Sequence, residues 1–132
     1  MRQICTSLVD KMLRHAIPVL HVTSAAAAEA FYCGMLGFQI EFCMNASDIH
    51  RDPCYMGISR DGALVHLSSY SGDGVAGGVV LLRCDDVDSL NTEFVAKGVA
   101  IHVGPVDQTW GTRELYVRDP DGNSVRFAAP LA

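Results

Sequence analysis

The stretch Ile58-Ser59-Arg60-Asp61-Gly62-Ala63-Leu64-Val65-His66-Leu67 comes back, altered, as Val117-Arg118-Asp119-Pro120-Asp121-Gly122-Asn123-Ser124-Val125-Arg126-Phe127. Asp61 and Asp121 lie sixty residues apart, as do Gly62 and Gly122. In each copy an Asp-Gly turn stands between short apolar or alternating runs, which is how a β-hairpin is written in sequence. Two similar modules therefore fill the chain, and the functional question becomes what the two enclose between them.

Working outward from the hairpins gives the same order twice. Residues 16–22 predict a strand, and Ser24 an N-cap for a helix to about Met35, with Ala28, Phe31, Tyr32 and Met35 spaced as one helical face. Gly34 and Gly37 bracket the end of that helix. Strands are predicted over 38–44, 54–59 and 64–68. After the Gly-rich stretch 71–78, a linker, come a strand over 79–83, a helix from the cap Asp86 through Lys97 ended by Gly98, and strands over 99–103, 113–117 and 124–128. The predicted fold is α+β: two tandem β-α-β-β-β modules forming curved mixed sheets, module one at about 13–70 and module two at about 77–130, with residues 1–12 as an N-terminal arm. Pro18 cannot donate a ladder hydrogen bond, which places the first strand at a sheet edge or at a crossover between subunits.

A chain of 132 residues, 49% apolar and 19% charged, has the composition of one packed globular domain, not of a disordered segment. A net charge of −5, with no Lys/Arg cluster, argues against a nucleic-acid partner. No apolar run approaches the roughly eighteen residues that span a bilayer, and the first twelve residues lack a signal-peptide core, so no membrane partner and a cytoplasmic location are expected. Strand-like sequence begins just after Met12, making that methionine an alternative start. Cys5, Cys33, Cys43, Cys54 and Cys84 form an odd set with no Cys-x-x-Cys pair, so neither a disulfide framework nor a zinc knuckle is indicated, and reduced thiols are expected. The glycines at 72, 74, 77 and 78 lack the Lys-Ser/Thr ending of a phosphate loop.

Two groups of residues carry a family resemblance. One is Pro18-Val19-Leu20, Ser24, Phe31-Tyr32 and Leu36-Gly37-Phe38; the other is Trp110-Gly111-x-Arg113-Glu114 followed by Arg118-Asp119-Pro120-Asp121-Gly122-Asn123 and Phe127. Over about residues 14–129 the chain resembles the glyoxalase, bleomycin-resistance and extradiol-dioxygenase group, the vicinal oxygen chelate superfamily. The resemblance implies a homodimer with ligand sites in clefts; the strand around Pro18 is the candidate for an arm exchanged between subunits. Family enzymes hold a divalent metal with side chains from the first and last strands of each module, positions that carry over to Ile17, His66, Gly77 and Arg126. Only His66 among these can coordinate, and Arg126 stays cationic, so no metal and no cofactor are expected. A different alignment would promote His15, His21 or Glu114 to ligand.

The bleomycin-resistance branch is similar in lacking the metal ligands, and its members bind glycopeptide antibiotics in two grooves between subunits. Tyr55, after Asp52, sits where that branch carries a groove aromatic behind an acidic residue, and His66-Leu67-Ser68 resembles part of its groove wall. Candidate ligand-binding residues are thus Asp52, Tyr55, His66, Ser68, Trp110 and Arg126, with a small aromatic or glycopeptide ligand and Asp52 facing a cationic tail. Each has a plainer alternative: Tyr55 packing on its own sheet, Trp110 capping the core, His66 an interior histidine, Arg126 paired with Glu114. Asp121-Gly122-Asn123 is read as turn chemistry. Two functions stay open: a non-catalytic protein sequestering a bulky aromatic molecule, or an enzyme acting on a small electrophile, either metal-dependent through unrecognised ligands or metal-free with His66 as general base and Arg126 as oxyanion stabiliser. The single residue between Gly111 and Arg113, and the lack of an aromatic over 44–51, set the chain apart from the close resistance proteins and favour a ligand narrower than bleomycin.

Overall fold

A computed structural model describes residues 11–132. The elements are β1 (Val19–His21), α1 (Ala25–Tyr32), β2 (Gln39–Asn45), β3 (Cys54–Arg60), β4 (Ala63–Ser68), β5 (Val79–Arg83), α2 (Val87–Ala96), β6 (Ile101–Asp107), β7 (Thr112–Arg118) and β8 (Ser124–Pro130). Two four-stranded sheets result, ordered β1-β4-β3-β2 and β5-β8-β7-β6. In each, the first strand runs parallel to the last and the other pairings are antiparallel. The predicted repeat is therefore the architecture. Of the expected arm over residues 1–12, the first ten residues, with Cys5, lie outside the described ones.

Element ends differ from expectation where a local group overrides the pattern. β1 has three residues, not seven: Pro18 stands just ahead of it, its carbonyl accepting from His66 N–H at 2.9 Å, and β1 is an edge strand as Pro18 requires. β1 pairs with β4 of its own chain. α1 opens where predicted, with Ser24 Oγ accepting from Ala27 N–H at 3.1 Å, but ends at Tyr32, because Cys33 and Gly34 both donate to the Glu29 carbonyl and loosen the last turn. Val99 is buried and closes α2 by donating to the Phe94 carbonyl, so β6 starts two residues late and runs on to Asp107.

The repeated Asp-Gly pair is used in two ways. Asp61 (φ 52°) and Gly62 (φ 86°) form a two-residue hairpin turn between β3 and β4. Between β7 and β8 five residues intervene; Gly122 takes a positive φ while Asn123 does not, so Asn123 is present for its side chain.

That side chain ties the modules together. Asn123, fully buried, accepts from Gly77 N–H at 2.9 Å and Gly78 N–H at 2.8 Å through Oδ1. Its Nδ2 donates to the His21 carbonyl and to Asp119 Oδ2, both at 2.8 Å. Asp119 also accepts from the hydroxyl of buried Tyr32, on α1, at 2.8 Å. Burial and the neighbouring Asp119 carboxylate push the Tyr32 phenol far up, so it stays a donor. Thr23 bonds Asp121 on the same side, and Arg60 makes a two-pronged pair with Glu93 of α2 at 2.8 and 2.9 Å. Around these ties a single apolar core runs through both modules, from Leu20, Leu36 and Ile58 to Phe94, Leu115 and Phe127.

The junction can be weighed by substitution. Asn123→Ala strands two backbone donors, a carbonyl and part of a buried carboxylate, and is expected to lower the unfolding free energy by about 3 kcal/mol, against about 1–2 kcal/mol for Tyr32→Phe, as read by urea denaturation. Hydrogen bonding and charge from Arg60 hold Glu93 below the ordinary carboxylate value of 4.5. A depressed folded-state pKa contributes stability above the unfolded value, and that contribution is lost as pH falls through the folded one. The stability gap between the wild type and Glu93→Gln should therefore be full at neutral pH and shrink below about pH 4.5.

Candidate functional site

Strand alternation sends every second residue of each sheet away from the helices, onto an open face. In the first sheet the register sets Val19 opposite His66, His66 opposite Gly57 and Gly57 opposite Phe42, a row of four neighbours across β1, β4, β3 and β2. The Phe42 ring lies across the backbone of Gly57: a Cβ at residue 57 would overlap the ring and force it to move, so glycine is what lets the ring lie there. Phe42 is parallel to Tyr55 (centroids 6.2 Å, 12°) and edge-on to His66 (5.2 Å, 88°). Tyr55 OH and His66 Nδ1 share a hydrogen bond of 2.8 Å, which fixes the imidazole and leaves Nε2 as its other ring nitrogen. Exposed Met44, paired with Tyr55, extends this surface.

The second sheet presents different chemistry from equivalent positions. Glu114 occupies the place of Tyr55, and Arg126, opposite Leu81, the place of His66. Glu114 is 3% exposed and fully engaged: Oε2 accepts from Trp110 Nε1 at 2.9 Å and Thr112 Oγ1 at 2.5 Å, Oε1 from Tyr116 OH at 2.5 Å. These hydrogen bonds, Thr112's foremost, hold its carboxyl below the usual carboxylate range, and the bond to Glu114 raises the Tyr116 phenol. Arg126 lies over the Tyr116 ring with its guanidinium carbon 4.4 Å from the centroid and donates Nε–H to Ser124 Oγ at 3.2 Å. Arg126 thus stacks on Tyr116 and is not ion-paired with Glu114, the pairing weighed from sequence. Val79, Leu81 and Trp110 are exposed around this platform.

The four first- and last-strand positions expected to bear a metal are partly displaced. Ile17 and Gly77 precede their strands, and the residues facing His66 and Arg126 are Val19 and Leu81, which carry no donor atom. A single imidazole on one sheet and a guanidinium on the other do not make a divalent-ion site. Glu114 has both oxygens spent on donors, and no group of three or more His, Cys, Asp or Glu among the described residues is placed to hold a metal.

Of the six predicted site residues, Tyr55 and His66 meet on one open face, and Trp110 and Arg126 flank Glu114 and Tyr116 on the other. Asp52 and Ser68 are committed to structure. Asp52 accepts from Ala25 N–H at the start of α1 and from Ser69 Oγ at 2.7 Å, so its carboxylate serves the helix start. Ser68 is fully buried, donating to Asp73 at 2.7 Å and accepting from Tyr70 N–H. Trp110 is 66% exposed, so it does not cap the core. Phe42 and Tyr116 escaped the sequence reading; an aromatic paired with glycine, and one paired with arginine, become visible once the strand register is fixed. A separate hollow of ≈ 410 Å³ lies between the modules, lined by Phe38, Arg60, Asp86, Ser89, Glu93 and Phe127; Arg60 there is already bound to Glu93 and the Leu36 carbonyl.

No curated protein matches the chain. Among solved structures, TnmS3 from Streptomyces sp. CB03234, described as an antibiotic binding protein, is 26% identical with a TM-score of 0.73 over 91% of this chain and 98% of that one. The bleomycin resistance determinant encoded on transposon Tn5 (24% identity, TM-score 0.72, 89% and 98% covered) and a lactoylglutathione lyase from Agrobacterium tumefaciens (21%, 0.70, 88% and 92%) share the fold. The family model described as "Glyoxalase superfamily protein" matches residues 4–131, nearly the whole sequence, and the chain belongs to the glyoxalase superfamily.

Proposed function

We propose that this protein is a non-catalytic binder that sequesters a flat aromatic small molecule against the open faces of its sheets, in grooves completed by a second copy of the chain. The observation that carries the proposal is the Phe42–Tyr55–His66 cluster: three rings held by mutual contacts and one hydrogen bond on an open face whose β1 neighbour, Val19, is aliphatic. Such a surface offers stacking area already ordered before binding, which limits the entropy lost on association. Arg126, its guanidinium over the Tyr116 ring, adds a cationic group for a second ring or for a carbonyl or acidic group. Bleomycin-type glycopeptides, which carry flat heteroaromatic units, are the named example, and the likeness to an antibiotic binding protein supports that class. Val19, Phe42, Met44, Val79, Leu81 and Trp110 are exposed apolar groups for which a second copy is the economical cover. The chain is read as acting in the cytoplasm, with reduced thiols and without a cofactor.

The second reading, an enzyme acting on a small electrophile, draws on the Tyr55–His66 hydrogen bond, which presents an oriented imidazole as a general base. Binding without turnover separates the two.

Calorimetric titration with metal-free bleomycin is expected to give about one ligand per subunit with a Kd at or below about 1 μM, worth roughly −8 kcal/mol. Tyr55→Ala and Arg126→Ala should each weaken binding about tenfold or more while leaving the unfolding midpoint nearly unchanged. Absence of heat at several temperatures removes bleomycin as the ligand, and turnover of an electrophile that is lost in His66→Ala favours the enzyme. Light scattering behind gel filtration should give a dimer at micromolar concentration; a strict monomer contradicts the grooves.

A further inference from the structure

The described residues include four free cysteines, and two of them meet. Cys43, exposed on β2, and Cys54, the buried first residue of β3, have their sulfurs 2.9 Å apart. The register explains the approach: Cys43 pairs with Met56 and Cys54 with Asn45, so the two are diagonal neighbours across an antiparallel ladder. A disulfide bond is about 2.05 Å long, leaving under roughly 1 Å to close. The pair sits at the loop end of the β2–β3 ladder, beside the loop over 46–53.

We propose that Cys43 and Cys54 are an oxidisable pair that forms a reversible intrachain disulfide in response to hydrogen peroxide. The roles divide by access. The exposed Cys43 thiolate attacks the peroxide, the O–O bond breaks, and the products are the Cys43 sulfenic acid and hydroxide, which takes up a proton as water. The Cys54 sulfur then attacks the sulfenic sulfur, losing its proton; the S–O bond breaks and a second water leaves. In total two thiols and one peroxide give one disulfide and two waters. Burial and the hydrogen bond with Cys43 push the Cys54 thiol up to about 12, which keeps it protonated and leaves the first meeting with the oxidant to the exposed Cys43. Arg51, bonded to Glu29, lies beside Cys43.

The position links the pair to the face described above, and this consequence alone rests on the proposed binding function. Phe42 and Met44 flank Cys43, and Tyr55 follows Cys54. A covalent bond between the strands at this point fixes the spacing of the aromatic cluster.

The test treats the native full-length protein with stoichiometric hydrogen peroxide, blocks remaining thiols, and digests with trypsin and a glutamate-specific protease. These cuts put Cys43 on residues 42–51 and Cys54 on residues 52–60, away from Cys33. The expected product is those two peptides joined, lighter by two hydrogens than their sum, released by dithiothreitol and absent from Cys43→Ser. In Cys54→Ser, Cys43 should stop at a sulfenic acid trapped by dimedone. A disulfide of Cys43 to Cys33 or to another chain, or peroxide carrying Cys43 to the sulfinic acid while Cys54 stays alkylatable, overturns the proposal. No ligand enters this measurement, so its failure and a failure of antibiotic binding are told apart.

Discussion

The rest of the structure depends on one buried amide. Asn123 satisfies two backbone N–H groups of the linker, the last carbonyl of β1 and the Asp119 carboxylate at once, and Asp119 in turn takes the Tyr32 hydroxyl. Asn123, Asp119 and Tyr32 are buried, so leaving their side-chain groups unpaired would cost on the order of 1–3 kcal/mol each. The network fixes where module two begins relative to where the β1 strand of module one ends. A shared apolar core alone specifies proximity; these directional bonds specify register between the modules.

With the modules locked through one side of each sheet, the opposite faces are free to diverge. Equivalent positions carry Tyr55 and Glu114, His66 and Arg126, Gly57 and Tyr116. In module one the removal of a side chain at Gly57 lets Phe42 lie down and build an apolar, aromatic surface. In module two Tyr116 fills the same place and becomes a platform for a cation, while three donors hold the Glu114 carboxylate in its charged form. One repeat thus yields two chemically distinct walls, suited to an asymmetric ligand. Arg113, within the Trp-Gly-x-Arg-Glu motif, acts structurally by bridging Asp88 of α2 and Asp107 of β6.

Period, turns and caps made the architecture legible, because each is a local property: the Asp-Gly repeat, Ser24 and Asp86 as N-caps, and Pro18 at an edge all hold in the structure. What escaped depends on register. Phe42 had no partner until Gly57 was placed opposite it, and the first-strand positions at Ile17 and Gly77 slid to Val19 and Leu81 because strand starts are set by which groups find a ladder partner. Nor does the sequence around Asp52 reveal that it faces the start of a helix 27 residues earlier. Asn123 read as a turn residue for a similar reason: a tight turn and a buried tertiary amide are written with the same letter.

The most direct measurement is the map of backbone amide shift changes when isotope-labelled protein is titrated with metal-free bleomycin. The account predicts changes concentrated at Phe42, Tyr55 and His66 and at Tyr116 and Arg126, with the hollow around Arg60, Asp86 and Glu93 unmoved. Changes centred on that hollow, with the open sheet faces silent, would contradict the assignment of function to those faces.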